Sequence, residues 1–168
     1  GKMYWLKSID NKQVDLKHPI EQGLKTTCKR MLNPFFPFGG VSGMRFLAKQ
    51  LTKYPKNKSF EYAKAHLINM VRHQEIVGSG GSGYRKQFAN FLTEAGVLLN
   101  DNRYTEFGQE VMENLASQWK FFASDMAKCS REDPKLIPEK FQDLGNKLRA
   151  LAATEEQLFR KIKKAFNY

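Results

Sequence analysis

The sequence contains few cysteines and no long apolar run. Cys28 and Cys129 lie far apart and outside any CxxC or Cys/His cluster, which argues against a disulfide framework and a zinc site. Charged or polar residues interrupt every apolar stretch well before the roughly 20 apolar residues that a membrane span needs. The first residues, Gly1 to Trp5, show no apolar run followed by a small-residue cleavage site, so we expect no secretion signal. We therefore expect a cytoplasmic protein with free thiols, without a metal or cofactor, and without membrane contact.

Acidic residues are scarce in the first third of the chain. Residues 1–60 contain 12 Lys or Arg against 3 Asp or Glu, residues 61–133 contain 8 against 10, and residues 134–168 contain 8 against 4. The net charge of +11 therefore comes mainly from the N-terminal third. Such a region is either a solvated basic face, which is the commoner case, or a docking site for an anionic partner. Nucleic acid is the less favoured partner, because only the charge supports it.

Helical spacing of apolar residues dominates the rest of the sequence. A chain of 168 residues that is 41% hydrophobic suffices for one core and hence a single domain. The spacing predicts helices over residues 18–32, 42–54, 60–77, 84–99, 105–129 and 138–166, with Ser42 and Thr105 as N-caps. Long amphipathic segments with short joints predict an all-α fold, an antiparallel bundle of about five to six helices.

One segment, residues 3–9, instead has the aromatic and branched composition of a strand before the turn-forming Asp10-Asn11. A single strand cannot form a sheet, so its partners would belong to another domain or another copy of the chain. We therefore expect residues 1–12 to be the strand and linker remnant of a missing upstream domain. Residues 17–168 would then form the helical bundle.

Three phenylalanines stand between prolines and glycines, at Phe35, Phe36 and Phe38. The prolines and glycines exclude a helix interior, yet the segment is too apolar for an ordinary solvated loop. We expect these rings to plug the core of the domain. The alternative is a docking surface for a neighbouring domain, in which Arg45 would take part.

A glycine-rich loop joins two of the predicted helices. Its glycine spacing matches a dinucleotide fingerprint, but that fingerprint needs a preceding strand, and the Lys and Ser/Thr of a P-loop are missing. Two interpretations stay open. Backbone amides at the start of the next helix suit a phosphate or carboxylate, or the glycines form a tight corner between two helices. The candidate anion site comprises Gly78, Ser79, Gly80, Gly81, Ser82, Gly83, Tyr84 and Arg85.

No local spacing assembles a catalytic group. His18 and Cys28 lie ten residues apart on one predicted helix, on the order of 15 Å along its axis, and so cannot form a dyad. Cys28 also falls on the apolar stripe of that helix, which is typical of a buried thiol. Trp119 and the pair Phe121-Phe122 are predicted to anchor the core rather than to stack on bases.

Three segments form a combined pattern: residues 27–32, residues 40–48, and the glycine loop 78–85 followed by Phe88, Phe91, Leu92 and Glu94-Ala95. Together they resemble the C-terminal helical domain of proteins similar to butirosin biosynthesis protein H. The loop carries serines at positions 79 and 82, where the family often reads Gly-Thr-Gly-Gly-Gly. The resemblance covers residues from about 20 to about 165.

The resemblance implies an upstream domain of papain-like or C39-peptidase-like fold that supplies the cysteine and histidine of an acyl transfer. The present chain would then be an accessory domain that is not catalytic alone, and no catalytic residue carries over to it. The implied partners are the missing α/β domain and an acyl carrier protein or a small-molecule acceptor; a homodimer is also considered. The alternative is a free-standing helical module that binds an anionic partner through its basic N-terminal third.

Overall fold

The computed structural model describes residues 15–57, 59–133 and 137–168, and these residues form helices and turns with no strand among them. The helices are α1 (Lys17–Leu32), α2 (Gly40–Leu51), α3 (Tyr54–Asn57), α4 (Phe60–Glu75), α5 (Arg85–Leu99), α6 (Asn102–Glu110), α7 (Ala116–Cys129) and α8 (Ile137–Ala165). A 3-10 turn, Ser82–Tyr84, precedes α5, and a π-helical turn, Val111–Leu115, joins α6 to α7. The predicted all-α class is confirmed. The predicted strand at residues 3–9 and the linker at 1–12 lie outside the described residues.

Helix α8 is the long central element of the bundle. Its apolar residues recur every three or four positions, and α1, α2 and α7 pack against them, while α5 packs on α6 and α4 on α7. The buried stripe of α8 includes Phe141, Leu144, Leu148, Leu151, Leu158 and Ile162. This stripe was predicted from the sequence, because a coiled-coil-like spacing places all six side chains on one face.

Two glycines let helices approach each other more closely than alanine would allow. A Cβ atom on Gly145 of α8 would lie 2.9 Å from the carbonyl oxygen of Ala48 on α2. A Cβ atom on Gly108 of α6 would likewise lie 2.9 Å from the carbonyl oxygen of Ala89 on α5. These glycines therefore fix the distances between the helix pairs, at the cost of the lower helix propensity of glycine.

Both predicted N-caps are wrong. The hydroxyl of Ser42 donates to the carbonyl of Gly39 at 3.0 Å, inside a helix that already begins at residue 40. Thr105 lies in the second turn of α6, whose N-cap is Asp101; its carboxylate accepts from the amide of Arg103 at 3.1 Å. Aspartate is among the strongest N-cap residues because its side chain satisfies a free amide of the first turn.

The prediction that three phenylalanines plug the core is also wrong. Phe35 is 92% exposed, and Phe36 and Phe38 are each 66% exposed. The segment that carries them is a turn between the end of α1 and the start of α2 and belongs to neither helix. Its rings therefore do not share the apolar faces that these helices bury, and they lie on the surface.

The other predicted core side chains are largely where the sequence placed them. Trp119 and Phe122 are buried, as is the thiol of Cys28. Phe121 is 70% exposed, so its assignment to the core was wrong. Successive residues of a helix point about 100° apart, and α7 therefore turns Phe121 away from the face that buries Trp119 and Phe122. Within the described ranges, no helix combines the length and the apolar run needed to cross a bilayer.

Candidate functional site

The glycine loop turns the chain between α4 and α5 through a run of left-handed backbone. Positive φ angles occur at Gly78, Gly80, Gly81, Ser82, Gly83 and Tyr84. Glycine adopts such angles at no steric cost. Ser82, at 52°, and Tyr84, at 69°, carry side chains, and each costs about 1–2 kcal/mol in this region. The surrounding contacts must therefore hold the loop in its shape.

Those contacts come from the end of α4. The hydroxyl of Ser79 donates to the carbonyl of Gln74 at 2.6 Å and accepts from the amide of Gly81 at 3.2 Å. The amide of Ser82 donates to the carboxylate of Glu75 at 2.9 Å. An external phosphate or carboxylate would compete with Glu75 for this amide, and the anion site at residues 78–85 stays a prediction.

Arg85, the cationic member of the predicted anion site, points into the protein. Its Nε and Nη2 atoms lie 2.7 and 2.6 Å from Oε1 of Glu155, and its Nη1 atom donates to the carbonyl of Gly83. The guanidinium also lies over the ring of Trp119, with Cζ 4.3 Å from the ring centroid. Arg85 is thus held by an ion pair, a carbonyl and a cation–π contact.

Glu155 is the functional residue that the sequence reasoning missed. It lies on the buried stripe of α8, between Leu151 and Leu158, and none of its surface is exposed. A carboxylate at such a position is a detectable signal, because Glu is almost never fully buried unless it is paired. The pairing residue, Arg85, lies 70 positions earlier in the chain, so no local pattern connects the two.

The two carboxylate oxygens of Glu155 differ sharply. Oε1 accepts from Arg85 Nε, from Arg85 Nη2 and from the indole Nε1 of Trp119. Oε2 is equally buried, but it has no hydrogen-bond partner among the described residues. Leaving a buried acceptor unsatisfied costs about 1–3 kcal/mol, and more for a charged group. One oxygen therefore holds the network together, and the other is buried without a hydrogen-bond donor among the described residues.

An apolar pocket of about 170 Å³ lies beside this carboxylate. It opens between α1, the 3-10 turn, α5 and α8, and Glu155 forms part of its wall. The rings of Phe88 and Phe159 stack in the wall with centroids 5.6 Å apart. The lining residues are Thr27, Met31, Gly83, Tyr84, Arg85, Phe88, Leu115, Glu155 and Phe159. The structure therefore places three members of the predicted anion site, residues 83–85, around an apolar pocket.

The predicted docking residues lie on another part of the surface. Phe35 and Phe36 meet edge to face with centroids 4.8 Å apart, and Phe38 packs on Phe46 at 4.6 Å. Arg45 forms an ion pair with Glu156 of α8. Hydrogen bonds lower the pKa of Glu156, the larger effect coming from Arg160 and the smaller from Arg45. We call Phe35, Phe36, Phe38 and Phe46 the aromatic corner.

The thiols are poor nucleophiles in this fold. Burial raises the pKa of Cys28 and that of Cys129 to about 11. Both therefore remain protonated at neutral pH, whereas a catalytic cysteine needs a thiolate. The ring of His66 is engaged elsewhere, since its Nε2 atom lies 3.1 Å from the hydroxyl of Tyr54.

Comparison with known proteins identifies a family for this arrangement. A protein-family model described as Domain of unknown function (DUF4872) matches residues 1–162. No curated protein and no solved structure matches the chain. The family match spans nearly the whole sequence, so it includes both the glycine loop with its pocket and the aromatic corner. The chain therefore belongs to the DUF4872 family, whose function is unknown.

Proposed function

We propose that this chain is the helical accessory domain of a butirosin biosynthesis protein H-like protein. In this proposal, the upstream α/β domain carries the catalytic cysteine of an acyltransferase or peptidase, and the helical domain docks on it without doing chemistry. The family likeness of the segments at 27–32, 40–48 and 78–85 supports the relation. Two buried, protonated thiols support a non-catalytic role.

The observation that carries the docking role is the exposure of the aromatic corner. Monomeric proteins rarely leave contiguous large apolar groups in water, and such patches commonly mark interaction sites. Phe35 is 92% exposed and lies in a turn between Pro34 and Pro37. Burying a phenylalanine side chain fully contributes about 1.5–3 kcal/mol. Three such rings presented together therefore suit a hydrophobic anchor at an interface.

The experiment is a calorimetric titration of this chain with the upstream α/β domain, produced as a separate polypeptide. We expect binding that the triple variant Phe35→Ser, Phe36→Ser, Phe38→Ser weakens by about 100-fold or more, because three lost rings at more than 1 kcal/mol each remove about 3 kcal/mol. Phe121→Ser is the matched control, since it removes a ring that is 70% exposed on α7. Equal weakening by both variants, or no binding of the wild type, refutes the docking role.

Self-association is a competing use of the same corner. Sedimentation of the isolated chain distinguishes the two, because a homodimer gains mass without any partner. If the triple variant abolishes a dimer but leaves binding of the α/β domain intact, the corner is a homodimer interface instead.

The basic N-terminal third supports a second role, the docking of an acidic acyl carrier protein. All eight Lys and Arg residues between positions 17 and 56 are exposed, and Glu21 is the single acid in that range. A surface of one sign steers an oppositely charged partner and raises its association rate. We expect binding of a carrier protein to weaken steeply between 0.1 and 1 M salt, as the Debye length falls from about 10 to about 3 Å.

Charge reversal locates that contact. Lys49→Glu with Lys53→Glu should weaken carrier binding, whereas Lys128→Glu, which reverses an exposed lysine of α7, should not. Duplex DNA is the comparison ligand. Binding of DNA as strong as that of the carrier protein would favour the free-standing module that binds anionic partners unselectively.

A further inference from the structure

The pocket between α1, the 3-10 turn, α5 and α8 offers a ligand almost no polar surface, although Arg85 and Glu155 form part of its wall. The guanidinium of Arg85 is directed to Glu155 and to the carbonyl of Gly83. No part of Glu155 is exposed. The hydroxyl of Thr27 donates to the carbonyl of Gly23 within α1. These polar groups are engaged within the protein or covered by it, so the surface that faces the pocket is apolar.

A wall of this kind selects against polar occupants. A hydroxyl or amide group that enters the pocket gives up its hydrogen bonds with water and gains none, which costs free energy, and a charged group loses far more. An apolar group instead gains free energy in proportion to the apolar area that it removes from water. The occupant of the pocket is therefore apolar, and any polar group that the ligand carries stays at the mouth, in water.

The size of the pocket limits this occupant to one ring. An engineered apolar cavity of about 150 Å³ stays dry and binds one molecule of benzene. The present pocket, at about 170 Å³, has room for one six-membered ring with small substituents. Phe88 and Phe159, whose ring centroids lie 5.6 Å apart, supply aromatic surfaces in the wall. Because aromatic pairs gain from stacked and edge-to-face contacts beyond the area that they bury, an aromatic ring is favoured over an aliphatic chain.

Two unusual backbone features meet in the same wall. Tyr84 carries its side chain at a φ angle of 69°, in the left-handed region that residues other than glycine rarely adopt. Leu115 is the last residue of the π-helical turn. Strained residues cluster at ligand-binding positions, and π-helical turns are frequent at functional sites. Both features are typical of a binding site rather than of ordinary packing between helices.

We propose that this pocket binds the single aromatic ring of a small molecule through apolar contacts alone, with Met31, Phe88 and Phe159 around the ring. Polar substituents of the molecule lie at the mouth of the pocket. Arg85 and Glu155 make no hydrogen bond to the ligand; their ion pair closes the wall. The pocket shares no residue with the aromatic corner, so either proposal can fail without the other.

The test compares p-xylene with hydroquinone, which have nearly the same size and carry a methyl or a hydroxyl group at each end of the ring. Either orientation of hydroquinone puts one hydroxyl into the pocket, because the two groups lie at opposite ends. Titrations of the wild-type chain are followed by the NMR signal of the Met31 methyl group, which lines the pocket. We expect p-xylene to bind at least about tenfold more tightly than hydroquinone. Equal affinities, tighter binding of hydroquinone, or no saturable shift up to the solubility limit of p-xylene overturns the proposal.

Filling the pocket gives a second check. Thr27→Leu adds carbon atoms on the α1 side of the pocket and removes a hydroxyl that is bonded within its own helix. Thr26→Leu makes the same change at the neighbouring exposed position, outside the pocket, and is the matched control. We expect the affinity for p-xylene to fall by at least about tenfold in Thr27→Leu and to stay unchanged in Thr26→Leu. Unchanged affinity in Thr27→Leu, or equal losses in both variants, overturns the proposal.

A measurement on the wild-type chain keeps the test decisive if Thr27→Leu does not fold. We expect that variant to fold, because leucine is a better helix former than threonine, and circular dichroism checks this. Nuclear Overhauser effects locate p-xylene on the wild-type chain without any substitution. Contacts from its methyl and ring protons to Met31, Phe88 and Phe159 are the expected result. Contacts to other side chains only would show that p-xylene binds elsewhere and would overturn the proposal.

Discussion

Replacing Arg85 by methionine tests the buried ion pair of the site. Glu155 is fully buried, and the Arg85 side chain is 22% exposed. Methionine retains an apolar stem over the ring of Trp119 but leaves the carboxylate without its cation. Removing one partner of a buried ion pair costs about 3–5 kcal/mol, because the other charge stays buried and uncompensated. For a domain of this size, that loss lowers the melting temperature by about 6–20 °C.

Removing the charge of Glu155 as well should restore part of the stability that Arg85→Met loses. We expect Arg85→Met with Glu155→Gln to be more stable than Arg85→Met alone, with a coupling energy on the order of 2 kcal/mol. Urea unfolding, monitored by circular dichroism, gives the free energies of unfolding of the wild type, the two single variants and the double variant. Lys161→Met, which breaks the exposed 2.7 Å pair with Glu110, is the control and should leave the midpoint unchanged. A small loss in Arg85→Met, or additive effects in the double variant, refutes the reasoning.

Three further predictions concern stability. Gly145→Ala should lower the free energy of unfolding by about 1–3 kcal/mol, because the new Cβ atom collides with α2. Gly23→Ala should raise it by about 0.5–1 kcal/mol, because its new Cβ atom has no described atom within 4 Å. Thermal unfolding of both variants checks this pair, and a stabilised Gly145→Ala variant contradicts the packing argument. Asp101→Ala should cost about 0.5–2 kcal/mol by removing the cap of α6, while a loss below 0.3 kcal/mol or so would exclude that cap. Burial raises the pKa of Cys28 and of Cys129 from 9.0 to about 11. The unfolded chain therefore releases these protons at lower pH than the native chain, and urea titrations should show stability that is complete below pH 9 and declines as the pH rises to about 11; a constant midpoint over that window would contradict the burial of the thiols.

The helices could be predicted from the sequence because their apolar residues repeat at a local spacing. Helix α1 ends at Leu32, where the prediction ended it, since Asn33-Pro34 cannot continue a helix. Exact starts were harder to predict. Asp101 outcompetes Thr105 as a cap because the chain at Asn100 takes a left-handed turn that leaves residue 101 extended. A choice among several capping residues depends on this backbone turn, which spacing does not reveal.

The site could be predicted only in part. The glycine loop and Arg85 stand out in the sequence, but the partner of Arg85 does not. The position of Glu155 on the apolar stripe of α8 indicates a buried, paired carboxylate, but only the packing of α5 beside α8 shows that its partner is Arg85. The exposure of Phe35 could likewise not be predicted from the composition of its segment. Hydrophobicity favours burial of a ring, but it does not show which rings the fold leaves on the surface.

The accessibility of residue 36 tests most directly the proposal that this helical domain docks through its aromatic corner. Phe36→Cys places a reactive thiol in the corner, and Cys28 and Cys129 contribute little background because both are buried. The rate of alkylation is then measured for the isolated chain and in the presence of the upstream α/β domain. We expect fast alkylation of the isolated chain and strong protection on addition of that domain. Equal rates under both conditions would contradict it.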